Sequence, residues 1–368
     1  MNFDYSDDHK LLQNSIGNLL QKKFPITFSR EFLEKGDDVI SKELVKTLVD
    51  QGLLGFLFED PSNINEGLVY SVLTALEAGR VSLPLPLVEA HVTSYVLNKF
   101  AADSEHNDSL SSGKNLYTIG WKNKDVKLSA NNTISGKVAF VPFAKSADFM
   151  LIQLEDHLLF VDLKDESVKT KKVKSMDQTY PLYEVEIKDY KLQDSNVVTK
   201  GDANELSTVM NQIATLLSSA EIIGASCQIL DMTVEYTKER KQFGQEIAKF
   251  QAIKHKAAEM YVLLESSKAA LKYASCVFST NMTDEYEKVT HLLKSYTSDC
   301  CNELMGLSIQ LHGGIGFTWE SDVHLYYKRA RRISVMYGDI YEHREKLFQE
   351  ILQLTKEGTQ SEKDRIKS

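Results

Sequence analysis

ERKQFGQEIAKFQAIKHKAAEMYVLL, residues 239 to 264, is the stretch whose reading decides the fold. Its second half carries Phe250, Ile253, Ala257, Tyr261 and Leu264 at spacings of 3, 4, 4 and 3, which line one face of an α-helix. Its first half, Arg240-Lys241-Gln242-Phe243-Gly244, breaks the helical pattern with polar groups and a glycine. Similar helical spacing flanks it on both sides: Ala203 to Tyr236 before it, Asp284 to Leu311 and then Glu320 onward after it. All six prolines fall at or before Pro181, so everything beyond can hold long helices without interior kinks. The polar end, Thr355 to Ser368, is expected to fray.

Upstream the period changes. Phe149–Leu154 and His157–Leu163 flank Glu155-Asp156 and predict a hairpin. Tyr183-Glu-Val-Glu-Ile-Lys188 alternates strictly, as a half-buried strand requires. Asn131-Asn132 and Ser135-Gly136 supply turn chemistry between further short strands. Before that the chain is helical again. Ser41 is placed to cap a helix carrying Leu44 and Leu48, with Leu53 and Leu54 continuing the apolar stripe. Glu66–Gly79 and Leu87–Ala101 predict two more helices, separated by Pro84-Leu-Pro86. The fold class is therefore α+β, mainly α. An N-terminal helical domain (1–110) precedes a middle β-barrel or sandwich domain (111–200) and a C-terminal four-helix bundle (201–368).

The chain has 368 residues and a net charge of −9, which argues against binding nucleic acid or an anionic membrane surface. No apolar run approaches the length that spans a bilayer, and Met1–Lys10 has no signal-peptide core, so a cytoplasmic protein is expected. Cys227, Cys276, Cys300 and Cys301 show no metal-type spacing and read as reduced, mostly buried thiols. The nine histidines stand singly, so no metal site is expected. There is no Gly-x-Ser-x-Gly, P-loop, His-Glu-x-x-His or dinucleotide-binding glycine motif.

Two segments carry the remaining chemistry. Arg240–Gly244 combines a guanidinium, an amide, an aromatic face and a permissive glycine, a kit for phosphate and base recognition. Gln310-Leu-His-Gly-Gly-Ile-Gly-Phe317 places three glycines within four residues, where backbone can approach a ligand closely. Each also suits an ordinary helix–helix turn. Together, with Phe250-Gln251 following the first, they resemble the flavin-dependent acyl-CoA dehydrogenase family. Gly52-Leu-Leu-Gly55, Glu77-Ala-Gly-Arg80 and Pro84-Leu-Pro86 are weaker echoes of its N-terminal domain. The resemblance implies FAD at a subunit interface, with Arg240, Gln242, Phe243, Gln310, Gly313 and Gly314 reaching its adenine and pyrophosphate end. Phe250 and Ile253 would add apolar contact.

The same resemblance implies dehydrogenation of an acyl-CoA thioester, in which a carboxylate removes the α-proton and hydride leaves to the flavin. The family's usual base position, counted from Gly314, falls on Tyr337. Its alternative position, counted back from Arg240, falls on Ala214. Two carboxylates could substitute. Glu221 lies two helical turns past Ala214 among small and apolar residues, where it could instead be a structural carboxylate near Gly224. Asp339 lies two positions past Tyr337 and could instead cap the terminal helix. The segment that meets the flavin ring in the family is also missing. Leu116–Trp121 is the nearest stretch, with Trp121 free to stack or to pack.

Lys328, Arg329, Arg331 and Arg332 read as a solvated helix face paired with acids such as Glu320 and Asp322. Three functions remain open: an active dehydrogenase with a displaced base, a supporting subunit that lends FAD contacts to a paralogous chain, and a flavin-free acyl-CoA-binding scaffold. The implied partners are acyl-CoA, a like or acyl-CoA dehydrogenase-like chain in a dimer or tetramer, and an electron-transfer flavoprotein as electron acceptor.

Overall fold

The Ser41 hydroxyl accepts from the Leu44 amide and opens helix α3 (Lys42–Asp50), which buries Val45, Leu48 and Val49. The computed structural model describes residues 3–36, 39–54, 64–101, 104–201, 203–280 and 282–367. Gly55, part of one echo noted above, lies outside them. Around α3 stand α1 (Asp7–Lys23), α2 (Ile26–Lys35), α4 (Ile64–Arg80), α5 (Leu87–Phe100) and α6 (Glu105–Ser111). Helix α5 buries every residue from Leu87 to Asn98, so it runs through the interior and not along a surface.

The middle of the chain forms two four-stranded sheets. One has the order β1 (Tyr117–Ile119), β4 (Phe149–Leu154), β5 (His157–Asp162), β8 (Val197–Lys200), with β1 and β4 parallel. The other has the order β2 (Lys127–Leu128), β3 (Thr133–Pro142), β7 (Leu182–Lys191), β6 (Val168–Val173), all antiparallel. The β4–β5 hairpin turns at Glu155-Asp156, with Leu154 paired to His157. In β7, Tyr183, Val185 and Ile187 point inward while Glu184 and Glu186 face outward. Ser135-Gly136, expected in a turn, instead lies inside β3 at a register shift. Gly136 has φ +147°, and a Cβ there would lie 2.3 Å from the Asp125 carbonyl oxygen. A glycine at a bulge reads from sequence like a glycine in a turn.

The C-terminal part is helical: α7 (Ala203–Glu239), α8 (Gln251–Ser279), α9 (Tyr286–His312), α10 (Val323–Ile333) and α11 (Ile340–Lys367). The run from Glu320 onward is broken at residues 334–339, where Tyr337 and Gly338 take φ +62° and +104°. Helix α11 continues to Lys367 through the stretch expected to fray. Helix α7 is long and apolar enough to cross a membrane, contrary to the reading of the sequence, but 94% of its apolar window is buried among neighbouring elements. Helices α4 and α7 cross backbone to backbone. A Cβ on Gly224 would lie 1.8 Å from the Leu76 oxygen, and one on Gly79 would lie 2.0 Å from the Glu221 oxygen. This crossing fixes Glu221 against the N-terminal helices. The apolar stripe leading into α8 is covered only in part: Leu264 is buried, Phe250, Ile253 and Ala257 are half-buried, and Tyr261 faces solvent.

Candidate functional site

Arg240 follows the last residue of α7. The chain then makes a two-residue hairpin, Lys241-Gln242 paired with Gln245-Glu246 around Phe243-Gly244. Both turn residues have positive φ, +54° and +79°, the geometry of a type I′ turn. Glycine suits that conformation, whereas phenylalanine is strained in it by about 1 kcal/mol. Phe243 nevertheless sits at the tip with 93% of its surface exposed, its ring edge to face with Phe250 at 6.0 Å between centroids. Among the described residues, no hydrogen bond or ion pair engages the Arg240 guanidinium or the Gln242 and Gln310 amides.

The glycine turn lies at the same corner. Tyr236, whose carbonyl accepts from the Arg240 amide, stacks on His312 at 4.4 Å and donates its hydroxyl to the His312 carbonyl at 3.3 Å. That clamp ties the end of α7 to the end of α9. Gly313 caps α9 with φ +62°, and neither Gly313 nor Gly314 has any atom within 4 Å of a would-be Cβ. Ile315 and Phe317, in the turn that follows, are exposed. This corner fits the adenine and pyrophosphate end of an FAD molecule: a free guanidinium, amides, bare glycine backbone and apolar cover.

The interior is different. Arg329 and Arg332, on the inner face of α10, meet Asp177 and Glu221. Arg332 Nε donates to Asp177 Oδ2 and Arg332 Nη2 to Glu221 Oε1, each at 2.9 Å. Arg329 Nη1 lies 3.4 Å from Glu221 Oε1 and donates to the Leu83 carbonyl at 2.9 Å, while its Nη2 donates to Thr179 Oγ1 at 3.0 Å. Burial would raise the Asp177 carboxyl, but the two guanidiniums outweigh it and hold the group below its ordinary range. The expectation of a solvated basic face therefore fails for Arg329 and Arg332. Arg331 is exposed and lies over Tyr327, whereas Lys328 is half-buried over Trp319. Asp322 pairs with Arg30, not with this cluster.

A second carboxylate cluster joins the first. Glu89, fully buried on α5, accepts from the Tyr180 hydroxyl at Oε2 and the Tyr337 hydroxyl at Oε1, both at 2.6 Å. Burial raises the Glu89 carboxyl above its ordinary value, and the two phenols oppose that. The Arg332 guanidinium lies 3.7 Å over the Tyr180 ring. Behind it, Lys294 donates to the Ile333 carbonyl at the end of α10. Burial drives this amine down to about 7, the Arg332 charge pushes the same way, and Glu221 opposes both.

Of the six residues assigned to the adenine end, Arg240, Gln242 and Phe243 lie on the hairpin, and Gln310, Gly313 and Gly314 lie at the adjoining end of α9. All six are exposed. Glu221 is buried and engaged by the Arg329 and Arg332 guanidiniums. Asp339 is exposed and caps α11, its Oδ1 accepting from the Glu342 amide at 2.9 Å. Ala214 is buried on α7. The sequence reading missed Glu89, although the one acidic residue of α5, set between Val88 and Ala90, was a readable signal. At the ring end Trp121 packs edge to face on Tyr337, with centroids 5.2 Å apart. The four thiols are free, with Cys227, Cys300 and Cys301 buried and Cys276 half-buried. A groove of ≈ 500 Å³ runs between α7 and α8, past Arg80, Cys227 and Lys268, and neither Glu221 nor Asp339 lines it.

Residues 212–352 match the family model described as acyl-CoA dehydrogenase, C-terminal domain. Over these residues the chain is similar to the acyl-CoA dehydrogenase family. It is 36% identical over 138 residues to acyl-CoA dehydrogenase IpdE2 of Mycolicibacterium smegmatis, an alignment that covers 38% of this chain and 42% of that protein. Its fold matches butyryl-CoA dehydrogenase from Megasphaera elsdenii with TM-score 0.82, at 19% identity and over 96% of this chain and 100% of that one. It also matches a chain of the ChsE4-ChsE5 complex from Mycobacterium tuberculosis with TM-score 0.83, at 18% identity and over 96% of this chain and 99% of that one.

Proposed function

We propose that this chain is the supporting subunit of a heteromeric, FAD-dependent acyl-CoA dehydrogenase. It lends Arg240, Gln242, Phe243, Gln310 and the Gly313-Gly314 backbone to an FAD seated mainly in an acyl-CoA dehydrogenase-like partner. The observation that carries this reading is Phe243: a strained, 93% exposed aromatic ring at a hairpin tip, beside an unengaged guanidinium. Neither folding nor hydration favours that placement, whereas burial against a second molecule does. The two-protein ChsE4-ChsE5 complex, whose chain shares this fold, supports the same reading.

When bound, FAD supplies the acceptor for hydride from an acyl-CoA thioester. This chain's part is positional. Arg240 would neutralise pyrophosphate with charge-assisted hydrogen bonds, Phe243 would exclude water, and Gly313 and Gly314 would let backbone approach the dinucleotide. On this reading neither carboxylate considered from the sequence serves as the α-proton base: Tyr337 stands at the family's usual position, Glu221 is paired with Arg332 and Asp339 caps a helix. The electrons would pass from the partner's site to an electron-transfer flavoprotein.

The test is purification of the chain alone and after co-expression with each acyl-CoA dehydrogenase-like chain of its source genome. The alone form is expected to be colourless and the co-expressed form yellow. Arg240→Ala and Phe243→Ala should lower FAD retention at least roughly tenfold, the loss expected for a charge-assisted contact. Stoichiometric flavin on the lone chain, bleached by an acyl-CoA, would instead establish a self-sufficient dehydrogenase.

A further inference from the structure

The ring end does not fit the group that the adenine end fits. We propose that this chain's own ring-side site is closed by its side chains, with Trp121 and Tyr337 as the mouth and Glu89, Tyr180 and Arg332 as the floor. The inference rests on the family reading for where the ring would lie.

The geometry makes the case layer by layer. Trp121 ends the stretch nearest to the family's ring-contacting segment, and Tyr337 occupies the counted position of the usual base. One aromatic ring held between two walls needs about 7 Å between them, and a ring with a thioester stacked on it needs about 10 Å, at roughly 3.5 Å per layer. The Trp121 and Tyr337 centroids are 5.2 Å apart in edge-to-face contact. There is room for neither layer.

Nor can Tyr337 simply swing away. Its hydroxyl is held by Glu89, and its carbonyl accepts from His343 Nε2 at 2.9 Å. His343 Nε2 must carry the proton to donate to a carbonyl, so its Nδ1 accepts from His291 Nδ1 at 2.9 Å. The loop is thus pinned from both the interior and α9. Below it, Glu89 ties Tyr337 to Tyr180, and Tyr180 lies under the Arg332 guanidinium, which Asp177 and Glu221 hold in turn. Under the floor the two cations Arg329 and Arg332 are matched by the two carboxylates Asp177 and Glu221.

The chain contains two tryptophans, Trp121 and Trp319, so 5-fluorotryptophan labelling gives two ¹⁹F resonances. The variant Trp319→Phe assigns them. Closure predicts that the Trp121 resonance shifts by no more than its linewidth when butyryl-CoA or longer saturated acyl-CoAs are added to the native chain. The same holds when the co-expressed complex is loaded with FAD and then with acyl-CoA. A saturable shift in either experiment overturns the proposal, since a ring or thioester beside the indole must move it. Tyr337→Phe keeps the ring and must keep the resonance silent. Tyr337→Ala removes the mouth and must make it respond to acyl-CoA. Should that variant fail to fold, the native chain decides alone. Failure of the supporting-subunit reading shows separately, as absence of a flavin-bearing complex while Trp121 stays silent.

Discussion

Lys294 gives the sharpest handle on the buried network, because its ionisation can be read in solution without any ligand. In the unfolded chain this lysine holds its proton to about pH 10.4. In the folded chain burial and the Arg332 charge bring it down to about 7. Between those values the unfolded state binds one proton more than the native state, so unfolding takes up a proton and native stability rises with pH. A methionine at this position has no proton to lose. The stability difference, native chain minus Lys294→Met, should therefore climb by about 1.4 kcal/mol per pH unit, or roughly 2–3 kcal/mol from pH 7.5 to 9.5. Below about pH 7 the difference should be flat. Urea unfolding followed by circular dichroism and by fluorescence, at constant ionic strength from pH 6.5 to 9.5, measures it. Subtracting the two profiles cancels titrations common to both proteins. Parallel profiles across pH 7.5–9.5 would refute the reasoning, because they would mean that Lys294 stays charged in the core.

Three further outcomes test other parts of the structure. Gly224→Ala should destabilise by about 2–3 kcal/mol or more, since its Cβ would meet the Leu76 oxygen at 1.8 Å and force α4 from α7, whereas Gly306→Ala, in open space on α9, should stabilise by about 0.5–1 kcal/mol; urea midpoints distinguish the two. Glu89→Gln leaves one of two phenol donors without an acceptor and should cost about 1–3 kcal/mol by the same assay. In the native state one thiol, Cys276, should react promptly with a disulfide reagent, while Cys227, Cys300 and Cys301 react only on unfolding; burial pushes the Cys301 thiol up to about 12, which suppresses its thiolate further. Four equally fast thiols would contradict the packing of α7 against α9.

What could be read in the sequence followed from signals that are local. The β4–β5 hairpin, the alternation in β7 and the Ser41 cap depend on neighbours a few residues away, and the structure shows each. The positions that misled depend on partners far along the chain. Four positive charges in five residues look like a solvated face until Asp177 and Glu221, more than a hundred residues upstream, are brought beneath two of them. Even so, the spacing of Tyr326, Arg329, Ala330 and Ile333 is that of a buried stripe, and it includes Arg329. A cation on such a stripe implies a buried anion. In the same way, bare glycines at 313 and 314 were legible as backbone made for close approach, but the clamp from Tyr236 to His312 was not, because it joins two helices whose packing no local pattern reports.

The closed ring end and the open adenine end then have one physical explanation. On the proposal that this chain seats no flavin ring, a pocket shaped for ring and thioester would stand empty, and an apolar void loses about 24 cal/mol for every Å³ left unfilled. Filling it with large side chains removes that loss, and on the same proposal Trp121, Tyr180 and Tyr337 are the filling. Burying Arg329 and Arg332 below them requires counter-charges, which Asp177 and Glu221 supply, and the phenols require an acceptor, which Glu89 supplies. At the corner formed by Arg240, Phe243, Gly313 and Gly314 no such filling exists. Its apolar ring, guanidinium and glycine backbone remain exposed, and the ring is the part that burial against a partner would stabilise. A chain that had merely kept the fold would be under no physical constraint to leave that corner unsatisfied while sealing the interior. The contrast between the two ends therefore supports a subunit that completes another chain's flavin site over a scaffold with no ligand at all.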